Sequence, residues 1–237
     1  MTMRVTLIVP TLNESGGMKE VMPRVKKEWY DQIIVVDGGS TDGTIEYAKE
    51  KGFEVYVQKG RGLRQGLREM WWMVKGDIVV TFSPDGNCIP ELIPLLIEEM
   101  KKGYDMVIVS RYMGKAVSHD DDAVTKFGNW MFTAMINVLF GGRYTDALGI
   151  YRAYKTELVR KFEIDKDAKV LHLAERSGIL IGWEPKLSIR CLKKKAKILE
   201  IPGDEPARIY GMRKMRPFRS GSILLVQILH EIFVWRK

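Results

Sequence analysis

Short Val- and Ile-rich runs at residues 5–9, 33–36, 55–57, 78–82 and 106–109 alternate with longer stretches whose apolar residues recur at helical spacing. No other feature narrows the fold as much. An apolar run without polar alternation reads as a strand buried on both faces, and parallel strands of that kind need helical crossovers. The spacing predicts helices over Met18–Lys27, Thr44–Lys51, Arg64–Val74 and Glu91–Lys102. Punctuation agrees: Pro90-Glu91 opens one helix, the Ser40-Thr41-Asp42 cluster precedes another, and Gly52, Gly76 and Gly103 each follow one. The expected class is α/β, a mostly parallel sheet flanked by helices.

Beyond Ser110 the rhythm breaks. The acidic run Asp120–Asp122 reads as a solvated loop and helix N-cap, or as an auxiliary set of metal ligands. It leads into the very apolar segment Phe127–Gly142, and a second such segment, Ile223–Trp235, lies near the end of the chain. At ~1.5 Å per residue, the sixteen and thirteen residues of these segments reach ~24 and ~20 Å, short of the ~30 Å of a bilayer core, so neither reads as a span. Each is a core or dimer helix, or a helix in the membrane interface with Trp130 or Trp235 at headgroup depth. No signal peptide is read at the N-terminus, and two distant cysteines, Cys88 and Cys191, suit free thiols in the cytoplasm.

The net charge of +8 over 237 residues is unevenly spread. Residues 1–185 carry 25 basic and 26 acidic side chains, whereas residues 186–237 carry 13 and 4. A local excess of cations around Arg208, Arg213, Lys214, Arg216 and Arg219 suits phosphates or an acidic membrane surface, or is a solvated face. Nucleic acid is not expected, because the remainder is neutral and carries no recognition motif.

Ligands of open parallel sheets bind beyond the carboxyl ends of the strands. There the chain places Pro10-Thr11-Leu12-Asn13-Glu14, then Asp37-Gly38-Gly39-Ser40-Thr41-Asp42-Gly43-Thr44, then Ser83-Pro84-Asp85-Gly86-Asn87, then Ser110-Arg111-Tyr112. Any one of these is ordinary turn chemistry. Together they bring carboxylates, amides, hydroxyls and a guanidinium to one crevice.

These residues resemble family 2 glycosyltransferases of the GT-A fold. Val35–Thr44 resembles the nucleotide-binding turn, and Pro10–Glu14 the first-strand motif. Lys59–Arg64, Ser110–Tyr112, Tyr144–Asp146 and Tyr151–Tyr154 resemble segments of the dolichyl-phosphate mannose synthase group. The resemblance runs from residue 4 to about residue 215 and implies a GT-A domain over 1–215, a Rossmann-like mixed sheet, followed by a C-terminal amphipathic helix over 216–237. Two acids of the pattern are absent, at Ser83 and Gly38.

The resemblance also implies roles. Pro10, Thr11, Asn13, Glu14, Asp37, Arg64 and Asp85 would bind the donor, Asp37 through a base N–H and Glu14 through ribose hydroxyls. Asp85, with the Asn87 carbonyl, would hold Mg2+ or Mn2+, weakly for want of a second carboxylate. Asp85 and Arg111 would act in catalysis, and Arg111, Lys126, Arg208, Arg213 and Lys214 would bind the acceptor phosphate. The implied reaction is inverting transfer from a UDP- or GDP-linked sugar to a polyprenyl phosphate at the cytoplasmic membrane face. A phosphate monoester, with a second pKa of ~6, needs no general base. Two alternatives stay open: a hydroxyl acceptor with Glu184 as base, and a sugar-nucleotide binder without turnover. So does a homo-oligomer.

Overall fold

The computed structural model describes residues 3–166, 182–210 and 217–235, with only the backbone at 217–219. Its strands are β1 (Val5–Thr11), β2 (Gln32–Asp37), β3 (Glu54–Val57), β4 (Ile78–Thr81), β5 (Met106–Ser110), β6 (Arg152–Lys155) and β7 (Ile198–Pro202). They form one sheet in the order β3-β2-β1-β4-β6-β5-β7. Every pairing is parallel except the two made by β6, which runs antiparallel between β4 and β5.

The helices are α1 (Ser15–Val21), α2 (Thr44–Glu50), α3 (Leu63–Met70), α4 (Ile93–Lys101), α5 (Ala123–Phe140), α6 (Glu157–Lys161), α7 (Trp183–Lys193) and α8 (Pro217–Phe233). Alternate strand residues feed two cores. Leu7, Val9, Ile33 and Val35 pack with Met18, Ala48 and Leu96 of α1, α2 and α4. Ile8, Ile34 and Ile108 face Leu67, Phe132, Leu187 and Ile228 of α3, α5, α7 and α8. Burial on both faces is why these strands are unbroken apolar runs.

Four departures from the sequence-based expectation have physical causes. The helix expected at Met18–Lys27 starts at Ser15 and stops at Val21, because Pro23 has no N–H to extend it and the chain tightens into a 3-10 turn over Met22–Arg24. β6 was not expected: Arg152 and Lys155 interrupt the apolar pattern, although Arg152 is fully buried. β7 ends in Pro202 at the sheet edge, where a missing N–H is tolerated. α7 was also unforeseen, since its buried face includes Lys186 and Arg190.

The α5 segment begins as its sequence suggests, with the Asp122 carboxylate accepting the Thr125 N–H at 2.7 Å, and it ends at left-handed Gly141. Among the described residues, no helix is long and apolar enough to cross a membrane. Trp235 is not available at headgroup depth. It is buried, its indole N–H donates to Glu163 at 3.2 Å, and its ring lies 4.3 Å from the Arg190 guanidinium. Trp130, by contrast, is exposed.

Candidate active site

The ends of β1 and β2 are tied into one wall. The Asp37 carboxylate accepts the N–H groups of Gly39 and Ser40 and the hydroxyls of Thr11 and Ser40, all within 2.6–2.8 Å. Asn13, at φ 53°, donates its N–H to Ser40 Oγ and accepts the Thr41 N–H. Asp42 accepts from Ser15 and Thr44, and Thr44 in turn accepts the Glu14 N–H. The acid expected to read a base is therefore fully buried, with four donors already on its two oxygens. It sets the shape of the turn. A side chain at Gly38 would meet Leu12 at 3.2 Å, so the glycine lets the two loops lie together.

Beyond β4 the Asp85 turn packs directly on the start of α1, where a Cβ on Gly17 would meet the Pro84 carbonyl oxygen at 2.4 Å. Asp85 is buried, and its Oδ1 accepts the Asn87 N–H at 3.3 Å. Its Oδ2 faces Arg208 Nη1 at 3.0 Å, and Arg208 Nη2 reaches Asp120 at 3.6 Å. The same segment is held by the Ile209 N–H on the Asp85 carbonyl, at 3.0 Å. The side-chain carbonyl of Asn87 accepts from the Cys88 thiol, whose pKa burial pushes up.

Because β6 is antiparallel, the residues that precede it return to the carboxyl edge of the parallel strands. There Asp146 meets Arg111 through a two-pronged pair, at 2.6 and 3.1 Å. Asp121 and Glu205 share the other arm of the guanidinium, and Asn129 donates to Asp146. Burial would raise the Asp146 carboxyl, but Arg111, Arg152 and Asn129 together hold it below the usual range. Glu205 goes the other way: burial outweighs Arg111 and Ser118, and its carboxyl is raised. Tyr112 donates to Asp121 and is itself raised, chiefly by burial. Arg111 therefore stands as countercharge to three carboxylates.

Behind this cluster lies a cavity of about 700 Å³ between α5, α7 and α8. Phe132, Leu148, Ile150, Ile223 and Leu224 line it, while Asn87, Arg111 and Glu205 stand on its polar side. Glu184 also lines it; its Oε1 is buried without a hydrogen bond, and burial raises its carboxyl. Asn129 Oδ1 is likewise buried and unbonded.

Of the other residues singled out from sequence, Pro10 and Thr11 belong to β1, Arg64 is buried in the first turn of α3, and Lys126 is exposed on α5. Arg213 and Lys214 lie outside the described residues. The sequence assigns no site role to Asp146, Asn129 or Glu205, and Asp121 enters only within the Asp120–Asp122 run, as loop and N-cap or auxiliary metal ligand. A foreseen β6 would have pointed to Asp146, because the residue before an antiparallel insertion must return to the ligand edge.

Among the described residues, no group of three or more His, Cys, Asp or Glu is placed to hold a metal ion. The Asp85 turn still fits a hard cation that takes its remaining ligands from phosphate and water, because the Arg208 guanidinium is already drawn to that carboxylate.

Sheet order, the single antiparallel strand and the strand-end site together define a GT-A fold. A crystal structure of glucosyl-3-phosphoglycerate synthase from Mycobacterium tuberculosis, in complex with Mn2+, UDP and phosphoglyceric acid, superposes with a TM-score of 0.70 at 19% identity, covering 98% of this chain and 79% of that one. The family model for glycosyl transferase family 2 matches residues 6–163, and the chain belongs to that family. It is 28% identical over 235 residues to undecaprenyl-phosphate mannosyltransferase of Micrococcus luteus, covering 94% of this chain and 90% of that protein. It is 26% identical over 229 residues to glycosyltransferase AglJ of Haloferax volcanii, covering 94% and 70%. The chain is thus a glycosyltransferase.

Proposed function

We propose that this glycosyltransferase moves a sugar, with inversion, from a nucleoside diphosphate donor to a polyprenyl phosphate at the cytoplasmic surface of a membrane. The observation that carries this reading is the apolar cavity that adjoins the strand-end wall, with its polar side at Asn87 and Arg111. The donor lies along Thr11, Glu14 and the Asp37 turn, its diphosphate toward Asp85 and Arg208. Asp37 acts by holding the turn. When bound, a divalent cation such as Mg2+ or Mn2+ neutralises the diphosphate leaving group, with Asp85 as its carboxylate ligand. The acceptor phosphate is already an anion near neutrality, so attack on the anomeric carbon needs positioning and cations rather than a base.

The Micrococcus relative is named for an undecaprenyl-phosphate acceptor, which supports the same chemistry here. So does an exposed apolar face: Val124, Phe127 and Trp130 on α5, with Leu225, Leu229 and Phe233 on α8. Such a face suits the membrane interface, with Lys126 near lipid phosphate.

The test is transfer of radiolabel from UDP- and GDP-sugars into vesicles that contain a polyprenyl phosphate, with product extracted into organic solvent. Lipid-soluble label that depends on the acceptor is the expected result. Nucleotide binding without label in lipid would overturn the acceptor assignment. A hydroxyl acceptor is favoured by one observation only: Glu184 Oε1 and Asn129 Oδ1 stand buried and unbonded at the cavity, ready for hydroxyl donors. On that reading Glu184→Gln abolishes transfer to a soluble alcohol, whereas transfer to a lipid phosphate survives it.

A further inference from the structure

We infer that Arg208 occupies the seat of the divalent cation in the donor-free protein, and that Asp120 supplies the second carboxylate of that seat. The inference rests on the reading of Asp85 as the cation's ligand. Ser83 stands where the family pattern has an acid, so the turn itself provides one carboxylate. The structure brings another from a different loop. Arg208 bridges the two, with Nη1 at 3.0 Å from Asp85 and Nη2 at 3.6 Å from Asp120.

A guanidinium between two mostly buried carboxylates does the electrostatic work of a bound cation, since an isolated buried carboxylate is costly. It is a poor permanent partner. Arg208 Nε is buried with no hydrogen bond, so the side chain is held at one end only. The placement is not accidental to the backbone: the Ile209 N–H is fixed on the Asp85 carbonyl, and a Cβ on Gly86, at φ 95°, would meet Ile209 at 2.4 Å. The segment thus carries Arg208 to the Asp85 turn by main-chain contacts that do not depend on charge.

A divalent ion on Asp85 Oδ2 would meet the positive charge of Arg208, now 3.0 Å from that oxygen, so the two compete for it. Arg208 yields when the ion enters with the donor, and its freed guanidinium then lies beside the diphosphate, where two-pronged phosphate contact is its natural chemistry. The bare protein should therefore bind the ion weakly, and loss of Arg208 should strengthen that binding.

The experiment titrates Mn2+ into the full chain without nucleotide and follows the free aquo ion by electron paramagnetic resonance. Arg208→Ala should bind Mn2+ about tenfold tighter than the parent, the effect of removing one charged competitor from a carboxylate. Arg208→Lys should stay near the parent. Asp120→Asn in the Arg208→Ala background should erase the gain, as should Asp85→Asn. Unaltered circular dichroism confirms that each variant is folded. Equal Mn2+ affinity in the parent and Arg208→Ala would overturn the exchange, and so would a gain that survives Asp120→Asn. UDP and GDP titrations of the same proteins separate the two readings. If nucleotide binds and the Mn2+ gain is missing, the exchange fails alone. If the gain is present and no nucleotide binds, the donor reading fails.

Discussion

Two arginine–carboxylate pairs, one beneath α8 and one at the strand ends, show how differently the same chemistry serves structure and function. Arg190 is 4% exposed and Glu231 is fully buried, and their contacts measure 2.8–3.1 Å. The remaining arm of Arg190 donates to the carbonyls of Phe162 and Glu163, and Trp235 lies over its face. At the other pair, Arg208 is 17% exposed, makes one short contact to Asp85 and leaves Nε unbonded. A saturated pair has no better partner to exchange for and locks α8 to α7. The half-satisfied one can trade its partner for a ligand.

The largest effect should come from breaking the saturated pair. Glu231→Gln strands the Arg190 charge in a buried site and should cost about 3–5 kcal/mol in urea unfolding. Burial pushes the Glu231 carboxyl up, but the Arg190 guanidinium bonded to it, with His230 Nδ1 nearby at 3.6 Å, prevails and holds it below its ordinary value. A carboxyl depressed by folding contributes stability that is present above the ordinary carboxylate range and lost as pH falls through the folded value. The parent should therefore lose stability in acid more steeply than Glu231→Gln.

Asp85→Asn should reverse the pattern. It removes a charge from the ligand edge, where the partner is still accessible to water. Transfer should fall by about a hundred- to a thousandfold, the range seen when one electrostatic stabiliser is lost. Stability should fall by less than in Glu231→Gln, by about 1.5–3 kcal/mol, because Asp85 is buried but Arg208 keeps Asp120. A stability loss like that of Glu231→Gln would show that the two pairs do the same job, and would break the comparison.

Asp146→Asn should resemble Asp85→Asn in its effect on stability. Asp146 is fully buried, yet its partner Arg111 is 19% exposed and keeps Asp121 and Glu205. A loss of about 1.5–3 kcal/mol is expected, the value of hydrogen bonds to a charged group. The folded carboxyl is depressed, so the parent's advantage should be full above the ordinary carboxylate range and shrink as pH falls below it.

The same contrast explains what could be read from sequence. β1, β2, β4 and β5 were legible because strands buried on both faces are written as Val and Ile runs, and the half-buried edge strand β3 still carries Val55 and Val57; Asp37, Asp85 and Arg111 lie at or just beyond strand ends. β6 and α7 were not, because Arg152, Lys186 and Arg190 are charged residues that tertiary contacts bury: Arg152 on the carbonyls of Ala147 and Gly149, and Lys186 on those of Ile164 and Lys166. No local pattern distinguishes such a residue from a solvated one. The site divided along the same line. Asp85 and Arg111 could be placed at the crevice, but not the carboxylates that surround Arg111, because Asp121, Asp146 and Glu205 come from three separate segments.

The smallest effect belongs to a pair with good geometry and no burial. Arg24 meets Glu91 through two contacts, at 3.0 and 2.7 Å, but the two side chains are 48% and 53% exposed. Distance alone would rank it with Arg190–Glu231. Water decides otherwise: both charges are largely solvated before they meet, so little desolvation energy is at stake and salt screens what attraction remains. The Arg24 hydrogen bond does hold the Glu91 carboxyl below its ordinary value. Arg24→Ala should therefore move the Glu91 titration upward in a carboxyl NMR experiment while it changes stability by about 0–1 kcal/mol, less at high salt. A loss that approached that of Glu231→Gln would mean that contact geometry, rather than burial, separates the pairs that hold this fold from those that can be exchanged.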